Sequence, residues 1–217
     1  SYNSMKEIDG WAETFNDEEL LKLISEALEN NKDLKIASNR LDIARASARA
    51  SIAPLLPTIG TNLSRIQSSV IIDNKNNPER LFAYQDSLGV QLNWELDIWG
   101  KLSTQSRSSF KELESIQADL EFARLSIAGL TAQSWYLFSE AKLQKDLAER
   151  NLETRISTLK KVENRYIKGV AQSRDLRLAR SEVESTRADL INKQQILNET
   201  ARILEVIIGR YPEATIV

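Results

Sequence analysis

Carboxylates are the only side chains here numerous enough to support acid–base or cation chemistry, and their placement fits neither. Glu112 with Glu114, Glu182 with Glu184, and Glu140 with Asp146 form pairs, yet each lies in a charged segment of helical periodicity, where a solvated face explains it. The 217 residues include no His and no Cys, which removes the commonest general base and zinc ligand together with thiol nucleophiles and thiolate sites. No phosphate-cradling glycine loop, nucleophile elbow or metal-ligand spacing is present. Trp135, Tyr136 and Phe138 read as a packing belt rather than a ligand box. Catalytic, cofactor-binding and metal residues are therefore not assigned, and an enzyme is the least supported class. The chemistry left is that of a surface. From Ala83 to Ile98, even positions carry Tyr84, Leu88, Val90, Leu92, Trp94, Leu96 and Ile98, while odd positions carry Gln85, Ser87, Gln91, Asn93, Glu95 and Asp97. Such a strand has one greasy and one wet face. The greasy face must meet either a soluble core or lipid, and Asp86 is a charge on that face.

Composition favours long helices as the frame around this strand. Seven Gly and four Pro leave few turns, and 28% of residues are charged. The net charge of −2 comes from interspersed signs, without the basic stripe that a phosphate backbone requires, so nucleic acid is not an expected partner. No apolar run is long enough for a membrane-spanning helix. No signal peptide begins at Ser1, as expected either of a cytosolic protein or of a chain whose export signal has been removed.

Asn16 and Asp17 precede an amphipathic helix running to about Asn30. A second helix, with Ile36, Ala37, Leu41, Ala44, Ala48 and Ile52 at helical spacing, stops at Pro54, and its small residues admit a close neighbour. Pro57, Ile59, Thr61 and Leu63 alternate with Thr58, Gly60, Asn62 and Ser64 in a weaker strand within Leu55 to Val70. A polar loop over Asp73 to Arg80 makes a β-hairpin of it and the strand from Ala83 to Ile98. Two strands are not stable alone in water, so partners must complete the sheet. From about Lys101 to Lys168 there is no Pro and only Gly129, predicting a helix roughly 100 Å long. Leu120 to Phe138 is apolar on more than one face, as expected of a segment flanked by helices on two sides. Leu152, Ile156, Leu159, Val162 and Tyr166 form a near-heptad seam. Gly169 is placed for a helix-ending residue with positive φ, and Ser173, followed by Asp175, is placed to cap a second long helix. That helix carries a seam from Leu176 through Val183, Leu190 and Leu197 to Ile208, interrupted by Thr186 and Lys193, and ends at Gly209. The two long helices are expected to fold back as an antiparallel hairpin. The fold class is mainly α, an elongated helical hairpin plus one amphipathic β-hairpin. Its segments are residues 1–53 (N-terminal helices), 54–100 (β-hairpin) and 101–217 (helical hairpin), with no internal repeat.

WELDIWGK (Trp94 to Lys101) at the strand-to-helix junction and RYIKGVAQSRDL (Arg165 to Leu176) at the helix-to-helix turn resemble the outer-membrane efflux proteins, the TolC-like family. The N-terminal WAETFNDEELLKLISEALENNKDLKIA (Trp11 to Ala37) and the closing LEVIIGRYPEA (Leu204 to Ala214) are similar to the same family. The resemblance implies a homotrimeric conduit whose protomers give four strands each to a barrel in the bacterial outer membrane and long helices to a tunnel in the periplasm. Family members hold two similar repeats, and this chain matches the first, half of the usual protomer. Members with these N-terminal motifs often begin with an acylated Cys, which is absent here. On this reading Leu88, Val90, Leu92 and Trp94 face lipid, and Gln91, Asn93 and Glu95, with Gln85 and Asp97, face the lumen. Tyr166, Gly169, Val170, Ser173 and Asp175 lie at or support the contact with a periplasmic adaptor protein, through which an inner-membrane pump is engaged indirectly. Capping and positive φ alone would equally explain the turn at Gly169.

Two other classes compete with a passive efflux conduit, which needs no cofactor. A periplasmic adaptor also carries a helical hairpin, but sets it inside a biotin-carrier-like β domain. A soluble coiled-coil scaffold would bury Leu88, Val90 and Leu92 against its own helices.

Overall fold

The computed structural model describes residues 12–74 and 77–216. Trp11 of the N-terminal motif and Lys75 and Asn76 of the expected loop lie outside them. Among the described residues four α-helices and two strands follow in the order α1 (Glu18–Asn30), α2 (Lys32–Ala50), β1 (Thr58–Asn74), β2 (Asn77–Asn93), α3 (Lys101–Ile167) and α4 (Ser173–Ile207), with 3₁₀ turns at Glu13–Phe15 and Ala53–Leu55. The chain divides into two compact units, one comprising Ser1–Asn39 and Gln117–Val217, the other Arg40–Ile116.

In the first unit, Asp17 caps α1, its Oδ1 accepting from the amides of Glu19 and Leu20 at 3.0 Å each. The same carboxylate accepts from Trp135 Nε1 at 2.8 Å. The Leu20 amide holds it below the usual Asp range, aided by Trp135 and Glu19 against a smaller opposing effect of burial. Leu20 and Ile24 bury against Ala128 and Ala132 of α3. On another side of α3, Phe138 joins Ala201, Leu204 and Ile208. The expectation that mid-α3 is flanked by two helices is met, by α1 and α4. Ion pairs join Arg155 to Glu182 at 2.9 Å and Glu163 to Arg180 at 3.2 Å. Positions in α4 rise as those in α3 fall, which is the antiparallel hairpin expected. The α4 seam keeps its alternating three- and four-residue steps through Thr186 and Lys193, both half-buried. The Thr186 hydroxyl bonds back to the Glu182 carbonyl, and a lysine there can bury its stem while its ammonium stays wet.

Asn31 joins three helices. It breaks α1 from α2 with ψ at 131°, caps α2 by accepting from the amides of Asp33 and Leu34, and donates from Nδ2 to the Ile207 carbonyl at 2.8 Å. That last bond satisfies one of the carbonyls left open at the end of α4. Beyond it, Gly209 sits at φ 82°, and Arg210 makes a two-pronged pair with Glu26 at 2.6 and 2.7 Å.

In the second unit, Ala44, Ala48 and Ser106 are buried, and Ser51 Oγ lies 3.2 Å from Ser106 Oγ. The small residues of α2 admit the close neighbour expected of them. Helix α2 stops at Ala50, four residues before Pro54, which has no N–H to donate to the Ala50 carbonyl and whose ring would clash with it. Strands β1 and β2 pair antiparallel in continuous register from Thr58 opposite Asn93 to Asn74 opposite Asn77. The expected loop over Asp73 to Arg80 is thus narrower, because its flanking residues extend the ladder.

Candidate functional site

The sheet sorts its side chains by register. Cross-strand partners share a face, so Ile59 opposite Leu92, Thr61 opposite Val90 and Leu63 opposite Leu88 form one surface. Its five large apolar members are 65–80% exposed. The reverse face carries Thr58, Gly60, Asn62 and Ser64 against Asn93, Gln91, Gly89 and Ser87. It is laced by Ser64 Oγ to Ser87 Oγ at 2.6 Å, Thr58 Oγ1 to the Asn93 carbonyl at 3.2 Å, and Gln91 Nε2 to Asn93 Oδ1 at 3.3 Å. Asp86, the charge that interrupts the greasy face, lies opposite Arg65. Arg65 Nε and Nη2 donate to the two carboxylate oxygens at 2.6 and 2.8 Å. Nearer the turn the segregation ends: Ile66, Val70, Ile72 and Leu81 share the face of Gln91 and Ser87, while Tyr84 and Phe82 share that of Leu88.

The strand ends sooner than its alternation. Trp94, Glu95, Leu96 and Asp97 lie past β2, which stops at Asn93. Trp94 Nε1 donates to the Leu55 carbonyl at 3.2 Å, tying the strand's end to the 3₁₀ turn before β1. Asp97 accepts from the amides of Leu102 and Ser103 at 2.9 and 2.8 Å. Those bonds satisfy open N–H groups at the start of α3 and hold Asp97 below the usual range, the Ser103 amide contributing most. Gly100 turns the chain at φ 69°. The LDIWGK sequence is thus a strand-to-helix elbow, with Asp97 engaged as a helix cap.

At the other end of α3, the Gly169 amide bonds to the Tyr166 carbonyl and the Val170 amide to the Arg165 carbonyl, both at 2.9 Å, with Gly169 at φ 74°. This is a Schellman turn. Gln172, not Ser173, is the N-cap of α4, and Ser173 is its first residue. Asp175 reaches back to accept from the Gln172 amide at 3.2 Å, the reciprocal half of a capping box. Tyr166, Val170 and Ser173 are exposed around this turn. Among the described residues no cluster of metal-ligating groups forms, and no helix is long and apolar enough to cross a membrane.

The model of the outer membrane efflux protein family matches residues 23–210. The cation efflux system protein CusC of Escherichia coli (strain K12) is 28% identical over 202 residues, 93% of this chain and 43% of that protein. The pyoverdine export outer membrane protein OpmQ of Pseudomonas aeruginosa is 28% identical over 213 residues, 96% of this chain and 45% of its own length. The chain therefore spans about half the length of these curated relatives. A crystal structure of CusC aligns with a TM-score of 0.77 at 26% identity, covering 93% of this chain and 46% of that one. The fold is shared also with the Campylobacter jejuni CmeC outer membrane channel, with a TM-score of 0.84 at 24% identity over 92% of this chain and 43% of that one. The chain belongs to the outer membrane efflux protein family.

Proposed function

We propose that this chain supplies one repeat of a protomer of an outer-membrane efflux channel, a passive conduit from the periplasm to the exterior. Strands β1 and β2 are staves of a transmembrane barrel, and α3 and α4 are staves of a periplasmic tunnel. The observation that carries the reading is the exposed surface of Ile59, Leu63, Leu88, Val90 and Leu92, backed by a face of Thr, Asn, Gln and Ser. A soluble scaffold would cover that surface with its own helices. From Tyr84 to Trp94 is eleven residues, within the roughly 9–11 that a tilted strand needs to cross the hydrocarbon. Leu88, Val90, Leu92 and Trp94 then face lipid, Gln91 and Asn93 face the lumen, and Glu95 lies at its periplasmic rim. The turn at Gly169, with Tyr166, Val170, Ser173 and Asp175, meets a periplasmic adaptor that couples the conduit to an inner-membrane pump. The assembly is a homotrimer. The relatives are named for cargoes as unlike as cations and pyoverdine, which supports placing cargo selection in the partners.

Val90→Asp and Leu92→Asp each set a charge on the lipid face, where it costs up to about 2–4 kcal/mol near the bilayer midplane and less for Asp than for Lys or Arg. In the full-length channel either change should cut recovery from the outer-membrane fraction while helical circular dichroism is retained. Unchanged recovery of both variants would overturn the lipid-facing assignment.

A further inference from the structure

The chain as a whole has a net charge of −2, yet residues 160–180 hold seven Lys or Arg against two acids. Both acids are occupied. Glu163 pairs with Arg180, and Asp175 closes the capping box through the Gln172 amide. No carboxylate among the described residues pairs with Lys160, Lys161, Arg165, Lys168, Arg174 or Arg177, all exposed. Their spacing is ordered: Lys161 and Arg165 are four residues apart along α3 and Lys168, just past its end, follows by three with its amide still bonded to the Asn164 carbonyl, while Arg174 and Arg177 are three apart along α4, so each set lies along one side of its helix. The stripes converge on the turn, where Ile167 is 80% and Val170 67% exposed.

We propose that the partner docking at this tip presents an acidic protein surface, with Asp or Glu at helical spacing around an apolar patch that receives Ile167 and Val170. The inference rests on the tip-docking reading above and adds the chemistry of the partner. An apolar centre inside a charged rim is the anatomy of a protein interface, and unpaired rim cations steer association and reject cationic competitors more than they add affinity. An anionic lipid surface is the alternative source of negative charge. It fits less well, since only the turn offers apolar side chains for insertion while the cations climb both helices.

The test uses the full-length protein in neutral detergent and fluorescein-labelled poly-L-glutamate, read by anisotropy at low and near-physiological salt. One variant carries Lys161→Gln, Arg165→Gln, Arg174→Gln and Arg177→Gln. A charge-matched control carries Lys22→Gln, Lys32→Gln, Lys35→Gln and Arg202→Gln. Wild type and control should bind with a strong salt dependence, and the tip variant about tenfold or more weaker, with helical circular dichroism equal in all three. Equal binding by tip variant and wild type, or salt-independent binding by wild type, overturns the proposal. So does displacement of poly-L-glutamate by phosphatidylglycerol vesicles at lower negative charge than by free polyglutamate, which would assign the tip to lipid. Adaptor crosslinking to the tip fails independently: if Val170→Asp leaves it intact the docking reading falls, whereas loss of crosslinking in Val170→Asp with full crosslinking and poly-L-glutamate binding in the tip variant removes only the acidic partner.

Discussion

Two glycines with the same backbone conformation carry different constraints. Gly169 and Gly209 both have φ near +80°, a region where a side chain costs about 1–2 kcal/mol. A Cβ at Gly169 would meet nothing within 4 Å, whereas one at Gly209 would lie 2.6 Å from the carbonyl oxygen of Asn30 and 2.8 Å from its carbon. Backbone atoms cannot swing aside as a side chain can. Gly169→Ala should therefore lower thermal stability by the conformational cost alone, and Gly209→Ala by clearly more, with loss of protection at the Asn31 side chain's bond to Ile207. Equal melting temperatures would show that the junction of α1, α2 and α4 has slack. Glu205, fully buried, makes the second residue-scale prediction. Its oxygens accept from the amides of Ala214, Thr215 and Ile216 and from the Thr215 hydroxyl at 2.6–3.3 Å. Burial alone would raise its pKa, but these donors outweigh it and leave the group below its ordinary 4.5. The unfolded segment thus binds its proton first. The stabilisation is whole above about pH 4.5 and is lost as pH falls through the lower folded value. Hydrogen exchange, corrected for the intrinsic rate at each pH, should show the amides of Ala214, Thr215 and Ile216 less protected below pH 4.5 than at neutrality, and Glu205→Gln, which leaves donors facing an amide at a cost of about 1–3 kcal/mol, should leave them weakly protected at both. Protection independent of pH would deny Glu205 this role.

At the scale of elements, much was readable from periodicity, because each helix signals its bounds locally. Helix α1 runs from Glu18 to Asn30 as its cap and apolar spacing foretell, and α3 covers Lys101 to Ile167 because nothing within it breaks a helix. What periodicity missed depends on contacts distant in sequence. Asp86 looked like a defect in the greasy face until register set Arg65 beside it. The alternation ran on through Asp97, but two amides of α3 claim that carboxylate and end the strand. Asn31, Gly209 and Glu205 signal their roles only once α4 has returned to α1. The tip residues Ser173 and Gln172 differ in role by one position, which sequence rules for caps do not resolve. The Arg65–Asp86 pair carries a prediction of its own. If its face meets lipid, Arg65→Leu leaves an unpaired carboxylate there and Asp86→Leu an unpaired guanidinium, so each alone should lower outer-membrane recovery. The double variant should regain most of it, an interaction of the kind a double-mutant cycle isolates. Additive losses would mean the two charges act separately.

At the scale of the molecule, the sheet's incompleteness is the main physical fact. Among the described residues strand β1 pairs only with β2, so along 17 residues of each strand the alternate amides that point away from the partner have no ladder there. Unpaired backbone groups cost several kcal/mol each in hydrocarbon, which is why spanning sheets close into barrels. Neighbouring strands must therefore cover both edges in the proposed channel, and a second repeat of the proposed protomer would supply some of them, this chain spanning about half the length of its relatives. Hydrogen exchange reads this directly. In the 217-residue chain in detergent, the inward amides of Thr58–Asn74 and Asn77–Asn93 should be slower than the outward ones in a two-residue alternation. In the assembled full-length channel both sets should become slow together, while α3 and α4 change less because their amides already bond within each helix. If the outward amides stay fast in the assembled channel, the sheet is an isolated ribbon and the barrel assignment fails, whatever the helices form.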